Sequence, residues 1–96
     1  MALQVIMTVT RPNAETAEMG LTEGFNSAMN TAIAAGDVTT TSEETDGLVT
    51  RYTAVFVNEA ARDNFTDLAA VTEYHDALDA YNAEHDIEVE FSESEV

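Results

Sequence analysis

The period of the hydrophobic pattern changes from two residues to about 3.6 and back, and it does so twice, which leaves few folds open to the chain. The order of patterns reads β-α-β-β-α-β. From Leu3 to Thr10, the set Leu3, Val5, Met7 and Val9 alternates with Gln4, Ile6, Thr8 and Thr10, so a half-buried strand carries one strongly apolar face. Arg11-Pro12-Asn13 ends it. Asn13 to Leu21 has mixed composition, and Gly20 and Gly24 each weaken a helix by up to about 1 kcal/mol relative to Ala, so a loop is expected there. From Thr22 to Ala35 the residues Phe25, Ala28, Met29, Ala32 and Ile33 fall on one helical stripe, and Gly36 stands where a C-terminal cap belongs.

Asp37 to Thr45 is Thr-rich and β-branched, and Asp46-Gly47 behind it is a strong hairpin signal. The partner strand, Leu48 to Val57, is apolar on both faces near Val55, which suits a central strand covered on two sides. Asn58 is placed to cap a helix with Ala61, Phe65, Leu68 and Ala69 inward, and Val71, Tyr74, Leu78 and Tyr81 continue the helical pattern to about Glu84. A single helix of that length would span roughly 40 Å at about 1.5 Å per residue. That overshoots the strands, so a break is expected near Val71-Thr72, with Thr72 capping the second piece. Ile87, Val89 and Phe91 alternate with Glu88, Glu90 and Ser92 in a fourth strand with one wet, acidic face, and residues 92–96 are expected to be a frayed acidic tail.

Right-handed βαβ crossovers and the central hairpin convert this order into an antiparallel sheet with strand order 4-1-3-2 and both helices on one face. The fold class expected is α+β, a ferredoxin-like βαββαβ plait, with residues 1–96 as a single domain. The pattern resembles the small proteins of the dimeric α+β-barrel superfamily, in which two plaits pack sheet against sheet. The resemblance covers most of the chain and is architectural. It implies a fold shared by small oxygenases, decarboxylases and proteins without known activity, and no catalytic motif carries over. The segment Ala80-Tyr81-Asn82-Ala83-Glu84-His85-Asp86-Ile87 is also similar to small uncharacterised phage proteins.

Charge narrows the partners. The chain has 19 Asp or Glu against three basic side chains, Arg11, Arg51 and Arg62, for a formal net charge of -16. Phosphate contacts need clustered Lys and Arg, so nucleic-acid binding is not expected, and anionic lipid is repelled as well. Such a surface favours solubility, cations or a basic protein partner. A saline or marine origin accounts for the same acidity, because screening over about 10 Å or less tames self-repulsion. With no cysteine there is no disulfide, thiolate nucleophile or iron–sulfur site. The longest apolar runs, such as Val55 to Val57 and Ala32 to Ala35, fall far short of the roughly 18 residues of a membrane span. Met1 to Val5 lacks the basic start of a secretory signal, so a cytoplasmic or virion-associated location is expected.

Candidate chemistry is sparse. His75 and Asp79 stand one helical turn apart, with Glu73, Asp76, Glu84, His85 and Asp86 near in sequence, a donor set suited to Zn²⁺ or Mn²⁺. With one residue in five acidic, a carboxylate near a histidine arises by chance, and a closed zinc site needs four convergent ligands, so no metal site is assigned. His85 fits the end of its helix through the macrodipole. Arg51, Tyr52 and Thr53 lie mid-strand beside Thr8 and Thr10, where a small anionic or aromatic ligand could sit, although ion pairing of Arg51 with Glu88, Glu90 or a second subunit is the stronger explanation of the arginine. No serine has a histidine at a suggestive spacing, no phosphate-binding glycine loop occurs, and no cofactor is assigned. Met7, Met19 and Met29 read as gap-filling core side chains.

The function expected from these features is that of a non-enzymatic interaction or structural protein. It acts by self-association, as a homodimer or higher oligomer, or within a larger assembly such as a virion. Its contact surface is the sheet face of Ile6, Val49, Arg51, Val55 and Val57 together with the last strand. The alternative is a small-ligand-binding protein or cofactor-free enzyme of the dimeric α+β-barrel type, with Arg51, Tyr52 and His75 as polar groups of a cavity between helices and sheet. A third reading, drawn from Glu43, Glu44, Asp46, Glu88, Glu90, Glu93 and Glu95, is an acidic DNA mimic that occupies the groove of a basic protein.

Overall fold

Strict alternation along the first strand decides which side of the sheet the helices cover. In the computed structural model, which describes residues 1–96, β1 (Leu3–Thr10) lies between β3 (Val49–Phe56) and β4 (Glu88–Glu95), and β2 (Val38–Asp46) flanks β3. All pairings are antiparallel and the order is β2-β3-β1-β4, as the hairpin and the two crossovers predict. Three helices, α1 (Glu23–Ala34), α2 (Glu59–Thr66) and α3 (Ala69–His85), complete a ferredoxin-like α+β plait. No helix is long and apolar enough to cross a membrane.

Register sets the core. Met7 stands opposite Tyr52 and Phe91, and Val9 opposite Thr50 and Val89, so these side chains share the helix-covered face. Met7 and Val9 pack with Tyr74, Leu78 and Ile87 beneath α3. Val38, Phe56, Ala61, Phe65, Val71 and Ala32 form a second cluster where α1 and α2 meet the sheet. Each of the larger apolar side chains among them, Val, Leu, Ile, Met or Phe, contributes about 1.5–3 kcal/mol when fully buried. Only 13 of 96 residues are buried, and so shallow a core leaves room between the layers.

Helix ends follow local chemistry. Asn58 Oδ1 accepts from the Ala61 N–H at 2.8 Å and caps its helix as expected, and Thr22 Oγ1 caps α1 by accepting from the Phe25 N–H at 3.2 Å. Gly36, at φ 82°, lets its own N–H reach the Ile33 carbonyl and the Asp37 N–H reach that of Ala32, which closes α1.

Two expectations are corrected. The helical pattern breaks at Asp67–Leu68, not at Val71-Thr72: Leu68 is extended, at φ -65° and ψ 138°, and its carbonyl accepts from both Val71 and Thr72 to start α3. Breaking there turns Phe65 and Val71 into one cluster and leaves Leu68, expected inward, 45% exposed, with Ala69 exposed beside it. Residues 92–96 are not a frayed tail. β4 runs to Glu95, and the Val96 N–H donates to the Ala2 carbonyl at 3.0 Å. The reason is that β1 offers a full row of backbone groups on that edge, and residues 92–95 satisfy it.

The end of α3 holds two costly residues. Asp86 is the one non-glycine residue at positive φ, 58°, and its carboxylate sits at the negative end of the helix dipole. Asn82, buried on α3, has neither side-chain amide atom hydrogen-bonded. Asp86→Gly is expected to stabilise the fold by about 1 kcal/mol in urea unfolding, with Asp86→Asn recovering only part of that gain. Asn82→Leu is expected to be neutral or to add about 1 kcal/mol, and a destabilised Leu variant would contradict the lack of partners.

Candidate functional site

The helices leave a pocket of about 710 Å³ against the sheet, within the roughly 300–1,000 Å³ usual for small-molecule sites. All four phenylalanines and two of the three tyrosines line it, with Met7, Met29 and Ala54 among the aliphatic residues. Phe25 is the centre of the aromatic wall, 4.5 Å from the Tyr74 ring and 5.6 Å, edge to face, from Phe65. His75 lies almost parallel to Phe91 at 5.6 Å. Leu21, Ile33 and Phe91 stay 37%, 44% and 52% exposed because the pocket opens between them.

Polar groups enter from a few places. Tyr52 projects from β3 and donates to Glu18 Oε1 at 3.2 Å, while the hydroxyl of buried Thr50 donates to Glu18 Oε2 at 2.7 Å. Glu18 belongs to the connection between β1 and α1. Arg11 steadies that connection by donating to the carbonyls of Thr16 at 3.0 Å and Gly47 at 3.3 Å. Asn13 Oδ1 accepts from Thr16, and the Tyr81 hydroxyl donates to the Ala17 carbonyl at 2.7 Å. Burial, followed by the charges of Glu18 and Glu43, pushes the Tyr52 phenol well above its ordinary range. Burial and Glu18 raise Tyr74 to about 12. Both phenols therefore remain neutral hydrogen-bonding groups at physiological pH.

The sequence-predicted ligand residues separate. Tyr52 and His75 line the pocket, whereas Arg51, next to Tyr52 on a strand, points to the opposite face of the sheet. There it stands opposite Thr8 and Glu44 and has no acidic partner within 4.0 Å. The expected pairing with Glu88 or Glu90 fails because β1 intervenes: Thr8 lies between Arg51 and Glu90, two strand spacings of about 4.8 Å apart. Arg62 is the arginine that pairs, with Asp63 at 2.8 Å, Glu59 at 4.0 Å and Glu93 on β4, and it stands in the pocket wall.

The residues expected at an interface gather on the open sheet face. Ile6 is opposite Thr53, Val55 opposite Gln4 and Val49 opposite Thr10, with Arg51 among them, and Val57 follows past the end of β3. His75 packs against Tyr74 and Phe91, and no three His, Asp or Glu side chains converge as metal ligands do. Glu18 and Arg62 carry no sequence signal. One lies in an aperiodic loop and the other on a polar helix face, so only the tertiary fold brings them to the pocket.

No known protein family and no curated protein matches the chain by sequence. Solved structures do match. A conserved protein of unknown function from Bacteroides thetaiotaomicron, suggested to be an oxidoreductase, superposes with TM-score 0.69 at 12% identity over 99% of this chain and 97% of its own. A provisionally assigned antibiotic biosynthesis monooxygenase from Deinococcus radiodurans gives 0.61 at 12% identity, covering 98% and 91%. SnoaB, a cofactor-independent oxygenase from Streptomyces nogalater, gives 0.61 at 12% identity, covering 99% and 92%. At this identity the likeness is one of fold, the ferredoxin-like α+β plait.

The phenols make a pH test possible. Both hold their protons more tightly in the folded chain than in the unfolded one, where tyrosine ionises near pH 10. Stability from this source is intact below about pH 10. Above it, the unfolded chain sheds protons that the folded chain keeps, so stability declines towards about pH 12 and beyond. Tyr74→Phe and Tyr52→Phe should each flatten that decline in urea midpoints. Glu18→Gln should lower both phenol titrations, followed by phenolate absorbance, without restoring ordinary values, because burial is the larger cause. Unmoved titrations would contradict the contact to Glu18.

Proposed function

We propose that the protein binds a small, largely apolar ligand in the pocket between helices and sheet, as a cofactor-free enzyme or ligand-binding protein of the α+β-barrel type. The observation that carries this reading is the gathering of six of the chain's seven aromatic residues, Tyr52 and Tyr74 among them, around an open pocket that also holds His75. A chain whose pocket had no function would gain about 25 cal/mol per Å² by closing apolar surface that here stays open to solvent. The oxygenase and oxidoreductase descriptions among the structural neighbours support an enzyme over the purely structural role expected from the sequence. In the enzyme, His75 is the candidate base, since its imidazole lines the pocket and can accept a proton from a bound molecule. Tyr52 orients the ligand through a hydroxyl whose own proton is held by Glu18.

A neutral solvatochromic naphthalene dye is expected to bind saturably at one site per chain. Ala54→Trp, which fills the pocket floor, should abolish that binding with the circular dichroism spectrum unchanged. Absence of saturable binding to the unaltered protein would remove this reading.

Self-association is proposed alongside it. Ile6, Val49 and Val55 are only half-buried on the sheet face that carries no helix, and a second plait against that face would cover them. Val55→Glu should leave the fold intact and reduce the light-scattering mass to that of one chain. A single-chain mass for the unaltered protein would refute the proposal.

A further inference from the structure

Resting on the pocket as the functional site, its charge narrows the ligand further. Three carboxylates, Glu43, Asp63 and Glu93, line the pocket against one guanidinium, that of Arg62. Arg62 is already shared among Glu59, Asp63 and Glu93, so it has little left for an incoming anion. Glu43 stands directly across from Tyr52 on the helix-covered side and has no basic partner within 4.0 Å. Behind Tyr52, Glu18 is held by two hydroxyls rather than by a cation. The other two arginines lie elsewhere, Arg51 on the far face of the sheet and Arg11 at the β1–α1 connection. The ring faces and edges of Phe25, Phe65, Tyr74 and Phe91 supply the apolar wall on which these charges act.

We propose that the pocket takes an organic cation, a molecule with a planar apolar body and an ammonium group, held by aromatic rings and the unpaired carboxylate of Glu43. Aromatic faces attract an ammonium most strongly where water is displaced, and a half-enclosed pocket provides that condition. Burial is the larger cause of the raised Tyr52 phenol, but the charges of Glu18 and Glu43 that add to it also favour a positive charge nearby. An anionic ligand of the same shape would meet three carboxylates and an arginine that is already engaged.

Calorimetric titration with three matched ligands tests this. They are (2-naphthylmethyl)trimethylammonium, its uncharged neopentyl analogue and 2-naphthylacetate, each at low and high salt. The ammonium ligand is expected to bind about tenfold more tightly than the uncharged one, and naphthylacetate more weakly than both. Glu43→Gln, a change on an exposed strand position, should weaken the ammonium ligand about threefold and leave the uncharged one alone. Glu84→Gln removes the same charge from an exposed site outside the pocket and should change neither. Equal affinity for the charged and uncharged ligands would overturn the cation inference while sparing the pocket. So would equal effects of the two Gln variants, which would assign the preference to the protein's general field. If neither these ligands nor the neutral dye binds, the pocket reading itself fails.

Discussion

The structure depends on β1 burying one face only. Its odd-numbered residues from Leu3 to Val9 point to the helices, and both of its backbone edges are paired, with β3 on one side and β4 on the other. A slip of one residue in either ladder would send Met7 and Val9 into solvent and bring Ile6 and Thr8 under α3. The core clusters, the pocket floor of Val5 and Met7, and the open face with Ile6 all follow from this single register.

The shallow core and the pocket are one feature seen from two sides. With so few residues buried, the helix layer rests on the sheet through Val38, Phe56, Phe65, Val71, Tyr74 and Leu78, and the remaining aromatic surface faces a gap instead of a partner. The ion pairs of Arg62 tie α2 to β4 beside that gap, which holds the layers at a fixed separation where apolar contact is thin. Exposed pairs of this kind contribute little to stability by themselves, about 1 kcal/mol or less, so their importance is geometric. The β1–α1 connection does the same at the other end, where Arg11, Asn13 and Tyr81 hold Glu18 against Thr50 and Tyr52.

Much of the fold was legible in the sequence because alternation and helical stripes are local. Leu3–Thr10, the Asp46-Gly47 turn, the caps at Asn58 and Gly36 and the order of strands were all readable from residues near one another in the chain. The break at Leu68 was not, because Leu68 caps α3 with its main-chain carbonyl alone and leaves no polar side chain to read. Residues 92–95 looked like a tail because Ser and Glu dominate them, yet the free edge of β1 recruits them through backbone hydrogen bonds that are indifferent to side-chain type. Of the polar residues that the sequence offers for a site, Tyr52 and His75 line the pocket, whereas the two-residue period of β3 sends Arg51 to the opposite face.

The sequence by itself determined the plait, the acidic surface and the lack of any cysteine thiol, because periodicity and composition act through neighbours along the chain and through net charge. Only the tertiary structure decided that the aromatic residues border a cavity, that Glu18 meets Tyr52 across 34 positions, and that Arg62 rather than Arg51 joins the wall. These are contacts between residues far apart in the chain, set by how the helix layer rests on the sheet, and no local pattern encodes the distance between two layers.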